Sequence, residues 1–575
     1  MTAEVPQPAD KPADPFFRWL SLRPRLLLVL AVVAALGPFL GKPLNFDDPL
    51  FLWTARQIQA HPANPYGFKV NWYGVESPMW DVTKNPPLSS YYLAMAAAFL
   101  GWGEKALHFA FLLPAVAAIL GTYRLACRFT NRPVFAACAT LFTPVFLVSS
   151  TTLMCDTLML AFWVWAVVLW VEGIEGGGSW RLACAGLLMA LAALTKYFGA
   201  CLVPLLIAYS LIHRRRLGGW VGFFLIPVAA LAAYQWITAG LYGRGLLSDA
   251  GAYVSFIRDS SAYSGPVAGV TALAFTGGCL AVATFLSPLL WRKRAFAGLA
   301  LVFILSVAVV RMGGTLSKIY GDLPGSSRSW LEIQIIFWGA GGASVLALAF
   351  ADAWNRRDAP SCLLALWVFG TILFAGFFNW IVNGRSILPM APAVGILLAR
   401  RLGQGGLAGG TTQDRGTWIC FGAGAALALW VAHADLVLAN AARLGAEQTY
   451  ARFAQGQGTL WFEGHWGFQY YLEKLGPRAR AVVSEQSKPH QGDFLAVPMN
   501  NTNADPPEST QIHPWRALVV NGPLWLTTHS KDVGAGFYAS VWGPLPFAFG
   551  QVPPERVLVY VAGQPPDGAP GPSPN

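Results

Sequence analysis

Charge is what this sequence has least of. Asp, Glu, Lys and Arg make up 12% of its 575 residues and hydrophobic types 55%, whereas a soluble domain carries roughly 25% charged residues. That shortage excludes a water-soluble globular protein of this size and leaves the bilayer as the solvent. Cysteine is scarce as well. The 8 residues (Cys127, Cys138, Cys155, Cys184, Cys201, Cys279, Cys362 and Cys420) all lie in or beside apolar segments and form no CxxC pair, so neither a disulfide framework nor a zinc site is indicated. No convincing small-residue cleavage site follows Arg18, Arg23 and Arg25, so the first apolar run reads as an uncleaved span. No internal repeat is recognisable, which weighs against a polytopic transporter or flippase.

What the chain does have is a succession of apolar runs of the length a helix needs to cross roughly 30 Å of hydrocarbon, from Leu26 to Trp430. The net charge of +11 sits in short clusters at the ends of these runs. It therefore reads as topology under the positive-inside rule and not as a nucleic-acid surface. With residues 1–25 in the cytoplasm and a first span from Leu26 to Leu40, residues 41–105 become a long first extracytoplasmic loop. Ser89 to Trp102 is short and begins Ser-Ser-Tyr-Tyr, so it is expected along the interface. Crossings follow at 106–124, 133–150, 153–172, 180–195, 197–213, 219–240, 266–290, 295–311, 331–351, 361–380, 384–400 and 417–437. That makes about thirteen, and it keeps Arg214 to Arg216, Arg292 to Arg294, Arg356, Arg357, Arg400 and Arg401 inside. The predicted architecture is an α-helical polytopic membrane domain over 26–438, followed by an extracytoplasmic α/β domain over 439–575. The expected setting is the inner membrane of a bacterium.

The outer segments collect the unusual chemistry. Glu76, Asp81, Asp249 and Asp259 read as solvated loop charges. Asp47 and Asp48 are different, because they abut the end of a span. Asp156 is different too, because it lies inside the otherwise apolar Leu153-Met154-Cys155-Asp156-Thr157-Leu158. A carboxylate at a membrane boundary is costly to desolvate and is a functional candidate by default.

These residues, with Lys84-Asn85-Pro86-Pro87-Leu88, Leu194-Thr195-Lys196-Tyr197 and Asn383-Gly384-Arg385-Ser386-Ile387-Leu388-Pro389, resemble the GT-C membrane glycosyltransferases. Within that group the pattern is similar to glycosyltransferase family 39, which holds the protein O-mannosyltransferases and the aminoarabinose transferases that modify lipid A. The resemblance runs from Leu26 to Arg401. It implies a GT-C fold and transfer of a sugar, with inversion, from a polyprenyl-phosphate donor to an acceptor hydroxyl or phosphate on a lipid, glycan or protein. It places the family's first-loop acid on Asp47 with Asp48 as partner, its lysine before the prolines on Lys84, and its second external acid on Asp156. Two positions depart from the pattern. Asn85 is inserted before the prolines, and Ser386 stands where an aromatic is usual after Arg385.

The chemistry suits the residue types. An acceptor hydroxyl needs a base, for which Asp47 is the candidate. The leaving lipid phosphate needs positive charge, from Lys84, Lys196 or Arg385, or from a divalent cation held by Asp47 and Asp156. The residues leave these two sources open, and no other cofactor is indicated. Lys196 reads equally well as a lysine snorkelling from the end of a span, and Arg385 can be read as a short-loop anchor.

From Asn440 the expected elements are a helix to about Ala454, a strand over Thr459 to Phe462, a helix over Phe468 to Leu475, and strands at Ala481 to Val483, Phe494 to Val497, Ala517 to Asn521 and Val557 to Val561. The aromatics of Glu463 to Tyr471 are expected to pack a core or dock on the membrane domain.

Overall fold

A computed structural model describes residues 23–260, 265–291, 325–403, 411–454, 458–482, 489–504, 511–522 and 524–563, with a few scattered residues between 298 and 309. The chain folds as a polytopic helical membrane protein followed by a strand-rich tail. Eight of the described helices are long and apolar enough to cross a membrane, or ten if each of two bent pairs counts as one span. Pro24–Phe39 and Ser179–Thr195, both expected as spans, are shorter apolar helices. The span expected at 295–311 lies largely outside the described residues. Proline opens many of these helices, at Pro24, Pro49, Pro133, Pro144 and Pro360, where its fixed φ suits the first turn and its missing N–H is not needed.

Two stretches expected as straight crossings are broken. Pro133–Leu141 and Pro144–Ser150 meet at 63°, and Gly265–Cys279 and Ala281–Leu290 at 89°. The second break lets the helix Gly265–Cys279 lie directly on Gly325–Arg356. A Cβ at Gly277 would sit 1.9 Å from the Trp338 carbonyl oxygen, and one at Gly342 would sit 2.1 Å from that of Leu273. Backbones approach this closely in membranes because hydrocarbon gives helices little other reason to associate.

The first loop contains the helix Asp48–Ala60, an antiparallel hairpin of Lys69–Asn71 and Glu76–Pro78, and the helix Leu88–Leu100. The last span does not stop at residue 439. The helix Thr411–Phe453 runs through it without a break, so the span and the helix expected after Asn440 are one element of 43 residues. Beyond it, a five-stranded sheet has the order Ala479–Ala481, Leu460–Phe462, Phe494–Pro498, Arg556–Ala562, Ile512–Val519. Its first two pairings are parallel and the rest antiparallel. Two smaller ladders pair Leu524–Thr527 with Ala548–Val552 and His529–Ser530 with Ala535–Gly536. The helix Trp466–Leu475 lies between this tail and the first loop: the Tyr471 hydroxyl accepts from the Leu44 N–H at 2.9 Å, and Gln469 Nε2 donates to the Asn71 carbonyl at 3.0 Å.

Candidate active site

Three turns converge at one end of the helical domain: Asn45 to Asp48, Leu153 to Asp156 and Asn383 to Arg385. Asp48 is buried and joins the first two. Its Oδ1 accepts from the Leu153 N–H at 2.8 Å and its Oδ2 from the Asn45 N–H at 3.1 Å. Burial pushes this carboxyl up to about 7, against the opposing pull of Lys42 and of the two amides. In the third turn, Asn383 Oδ1 accepts from the Ser386 N–H at 2.9 Å and caps a short helix. That cap sets the direction of Arg385, whose Nη1 donates to Asp47 Oδ2 at 2.9 Å and lies 2.9 Å from the Met154 sulfur.

Asp47 and Asp48 are neighbours in sequence with opposite surroundings. Asp47 keeps 32% of its side chain exposed, whereas Asp48 is 1% exposed. The first can meet a substrate; the second holds the turn. Asp156 opens the helix Asp156–Gly176 and is fully buried, its Oδ1 accepting from Lys196 Nζ at 2.6 Å. Asp156 Oδ2 and Arg385 Nε are buried with no partner among the described residues. Arg385 also lies within electrostatic reach of Asp156, so Asp47, Asp156, Arg385 and Lys196 form one group.

Lys84 belongs to an adjoining group. Its Nζ donates to Asp249 Oδ2 at 2.7 Å, lies 3.5 Å from Asp81 Oδ1 and sits 5.2 Å from the Tyr253 ring. Arg244 bonds both carboxylates, at 3.1 Å to Asp249 and 2.5 Å to Asp81. Asp249 is therefore not the solvated loop charge expected of it. The side chain of Asp259 lies outside the described residues. Tyr73, whose side chain is largely exposed, lies within electrostatic reach of Tyr253, Asp47 and Asp81. The inserted Asn85 is gripped through its backbone, where the Tyr66 hydroxyl donates to its carbonyl at 2.7 Å.

Among the described residues no three His, Cys, Asp or Glu side chains converge so as to hold a metal ion. Asp47 and Asp156 each face a cation instead of each other. That donor set does not fit a divalent ion.

An apolar groove of about 500 Å³ adjoins the site and is lined by Trp163, Phe198, Pro204, Trp367, Gly370 and Phe374, among others. Phe198 stacks on Phe374 at 3.9 Å between centroids and is two residues from Lys196. Trp163 lies seven residues along the helix that Asp156 opens, roughly 10 Å at 1.5 Å per residue.

Several neighbours escape local sequence reasoning. Lys42 and Asp435 form a buried ion pair, and Asp435 also accepts from Thr528 Oγ1 at 2.7 Å and from the Tyr538 hydroxyl at 2.9 Å. Asp435 stands in an apolar run (Ala434-Asp435-Leu436), the same signal that marks Asp156. Tyr538 carries no such signal.

Residues 84–237 match the sequence model of a family described as dolichyl-phosphate-mannose-protein mannosyltransferase. The match begins at Lys84 and takes in Asp156 and Lys196, and over that stretch it bears out the resemblance read from the motifs. Asp47 and Arg385 fall outside it. No curated protein matches the chain. Solved structures similar to it include ArnT from Cupriavidus metallidurans in the apo state, at 15% identity over 84% of this chain and 93% of that one, with a TM-score of 0.49. The same protein bound to undecaprenyl phosphate gives the same identity and coverage with a TM-score of 0.41. Arabinofuranosyltransferase AftD from Mycobacteria gives 13% identity over 95% of this chain and 40% of that one, with a TM-score of 0.39.

Proposed function

We propose that the chain is a membrane glycosyltransferase that moves a sugar from a polyprenyl-phosphate donor to an acceptor hydroxyl on the extracytoplasmic face. The observation that carries this reading is a partly exposed carboxylate and two cations, gathered near an apolar groove that begins two residues from Lys196. Asp47 takes the proton from the acceptor hydroxyl, a contribution of about 10²- to 10⁴-fold for a positioned general base. The acceptor oxygen attacks the anomeric carbon from the face opposite the phosphate. The bond from that carbon to the phosphate oxygen breaks, its electron pair leaves with the lipid phosphate, and the configuration inverts.

Arg385 and Lys196 meet the leaving phosphate. Each already has a carboxylate partner, so binding shares the cation between carboxylate and phosphate instead of filling a bare site. The unpartnered Nε of Arg385 is a donor free for that purpose. Lys84 is held by two carboxylates and is the more distant contributor. Asp156 keeps Lys196 in place, and Asp48 keeps Asp47 in place. In this reading the membrane is the bacterial inner membrane and the tail is periplasmic, because the basic segments Arg214 to Arg216, Arg356 to Arg357 and Arg400 to Arg401 lie at the opposite ends of the spans.

Purified protein in lipid vesicles, given an envelope extract as acceptor, is offered a polyprenyl-phosphate sugar and the matching nucleotide sugar in parallel. Transfer from the lipid-linked donor with release of polyprenyl phosphate is the expected result. Transfer from the nucleotide sugar alone refutes the mechanism.

A further inference from the structure

The turn that carries Asp47 is not held by the membrane domain alone. Phe46 has φ of +47°, the left-handed region that an aromatic residue occupies only when its surroundings impose it. Its ring is enclosed by three tail residues: Tyr538, stacked at 3.7 Å and 20°, and His529 and Trp466, each at 4.9 Å. The two residues before Phe46 are gripped as well. The Leu44 N–H donates to the Tyr471 hydroxyl at 2.9 Å, and the Gly467 N–H donates to Asn45 Oδ1 at 3.3 Å.

The turn that carries Arg385 meets the same part of the tail. The Gly384 N–H donates to the Phe537 carbonyl at 2.7 Å, and the Ser540 N–H donates to the Val382 carbonyl at 2.9 Å. A Cβ at Gly384 would stand 2.6 Å from the Phe537 ring, so glycine is what lets the two segments touch. Tyr538 lies at the centre. It stacks on the residue before Asp47, it lies 5.7 Å from the Arg385 guanidinium carbon, and its hydroxyl is tied to Asp435, the buried partner of Lys42.

We propose that the tail is a working part of the active site, with Tyr538 as a positioning residue that fixes Asp47 and Arg385 relative to each other. This rests on the glycosyltransferase reading for its kinetic consequence only; the positioning itself is read from backbone protection, which needs no substrate. The ring does the positioning and the hydroxyl anchors the ring, so the two functions separate between Tyr538→Phe and Tyr538→Ala.

The test uses the full chain in lipid nanodiscs. In Tyr538→Ala, amide hydrogen exchange over 44–48 and 382–386 should rise by about tenfold while the helix Asp156–Gly176 keeps its protection, the signature of local rather than global opening. Tyr538→Phe should stay within about threefold of the wild type at those amides. With a polyprenyl-phosphate sugar as donor, Tyr538→Ala should lose about 100-fold in kcat with KM for the donor nearly unchanged, as expected when geometry and not binding is lost, and Tyr538→Phe should recover most of that rate. Gly384→Ala, which pushes Phe537 away from the other side, should reproduce the local exchange and the kcat loss if Tyr538→Ala does not fold. Unchanged exchange in Tyr538→Ala and Gly384→Ala overturns the proposal whatever the activity, as does a loss of kcat that is equal in Tyr538→Phe and Tyr538→Ala. A wild type inactive on the lipid-linked donor, with the local exchange response intact, refutes the reaction and leaves the positioning standing.

Discussion

Replacing Lys196 by methionine strands a buried charge. Asp156 is fully buried, its Oδ1 takes a hydrogen bond from the Lys196 ammonium at 2.6 Å, and its Oδ2 has no partner among the described residues. Removing one member of a buried pair costs about 3–5 kcal/mol, because the remaining charge is left desolvated and uncompensated; an exposed pair is worth about 0–1 kcal/mol. Lys196 keeps 17% of its side chain exposed, and Arg385 stays within electrostatic reach of Asp156, so the lower end, about 3 kcal/mol, is the expected loss. Asp156→Asn leaves a lysine that can turn toward water, and costs less. The double variant Lys196→Met/Asp156→Asn removes both charges and should lie between the wild type and Lys196→Met, with a coupling of about 2 kcal/mol across the cycle. Retention of a monodisperse size-exclusion peak after heating in detergent ranks the four proteins. A Lys196→Met protein that melts with the wild type, or a double variant no better than Lys196→Met, refutes the claim that this pair holds the site.

The remaining expectations concern chemistry, pH, donor and topology. Asp47→Asn should abolish transfer with normal membrane levels; near-full activity in a radiolabelled donor assay removes Asp47 as base. The Asp48 carboxyl, raised from 3.8 to about 7 in the folded protein, favours the folded state when protonated, so its contribution is fully present below about pH 4 and is lost as pH rises through 7. The stability gap between Asp48→Asn and the wild type should therefore shift in the variant's favour from pH 5 to 8, and a gap constant across that range contradicts the burial argument. Gly370→Leu, which fills the apolar groove, should weaken use of long-chain isoprenoid donors by about tenfold and of short-chain donors little, since each buried methylene contributes about 0.8 kcal/mol; equal effects on both place the lipid elsewhere. An alkaline phosphatase reporter inserted after Gly563 should be active, and a silent reporter there inverts the topology.

The membrane character was legible because long apolar runs are a property of composition, and the strands over Leu460–Phe462, Phe494–Pro498 and Arg556–Ala562 because short apolar runs, aromatic or Val-containing and bounded by Gly, Pro or charge, mark them locally. The break at residues 142–143 was marked by Pro144 and the one at 280 only by the nearby Gly277-Gly278, and neither signal says whether the two helices continue as one bent span or turn on each other. The strands Leu524–Thr527 and Ala548–Val552 escaped because they pair across a long, Gly-rich and Pro-rich excursion. At the candidate site the carboxylates stood out as charges in apolar surroundings. Their division of labour did not, because Asp47 and Asp48 are chemically identical neighbours separated only by burial. Tyr538 lay beyond sequence reasoning altogether: its partner Phe46 is on the opposite side of the chain, and an aromatic in a loop looks the same whether it stacks on an active-site turn or on nothing.

The helix Thr411–Phe453 has a mechanical consequence. At about 1.5 Å per residue it is roughly 65 Å long, about twice the hydrocarbon thickness, and it passes from lipid to water without a joint. A rod of this kind transmits rotation as well as height. Each residue added or removed near the membrane surface turns everything beyond it by about 100° and moves it by about 1.5 Å. The tail is therefore phased to the spans like a key to a lock barrel. Lengthening the rod by one residue would swing the tail off the turns at Phe46 and Gly384, whereas an insertion of seven, two nearly complete turns, would restore the angle but lift the tail by about 10 Å. No length change meets both conditions, so the distance between lipid surface and tail is fixed by the need to keep the two in phase.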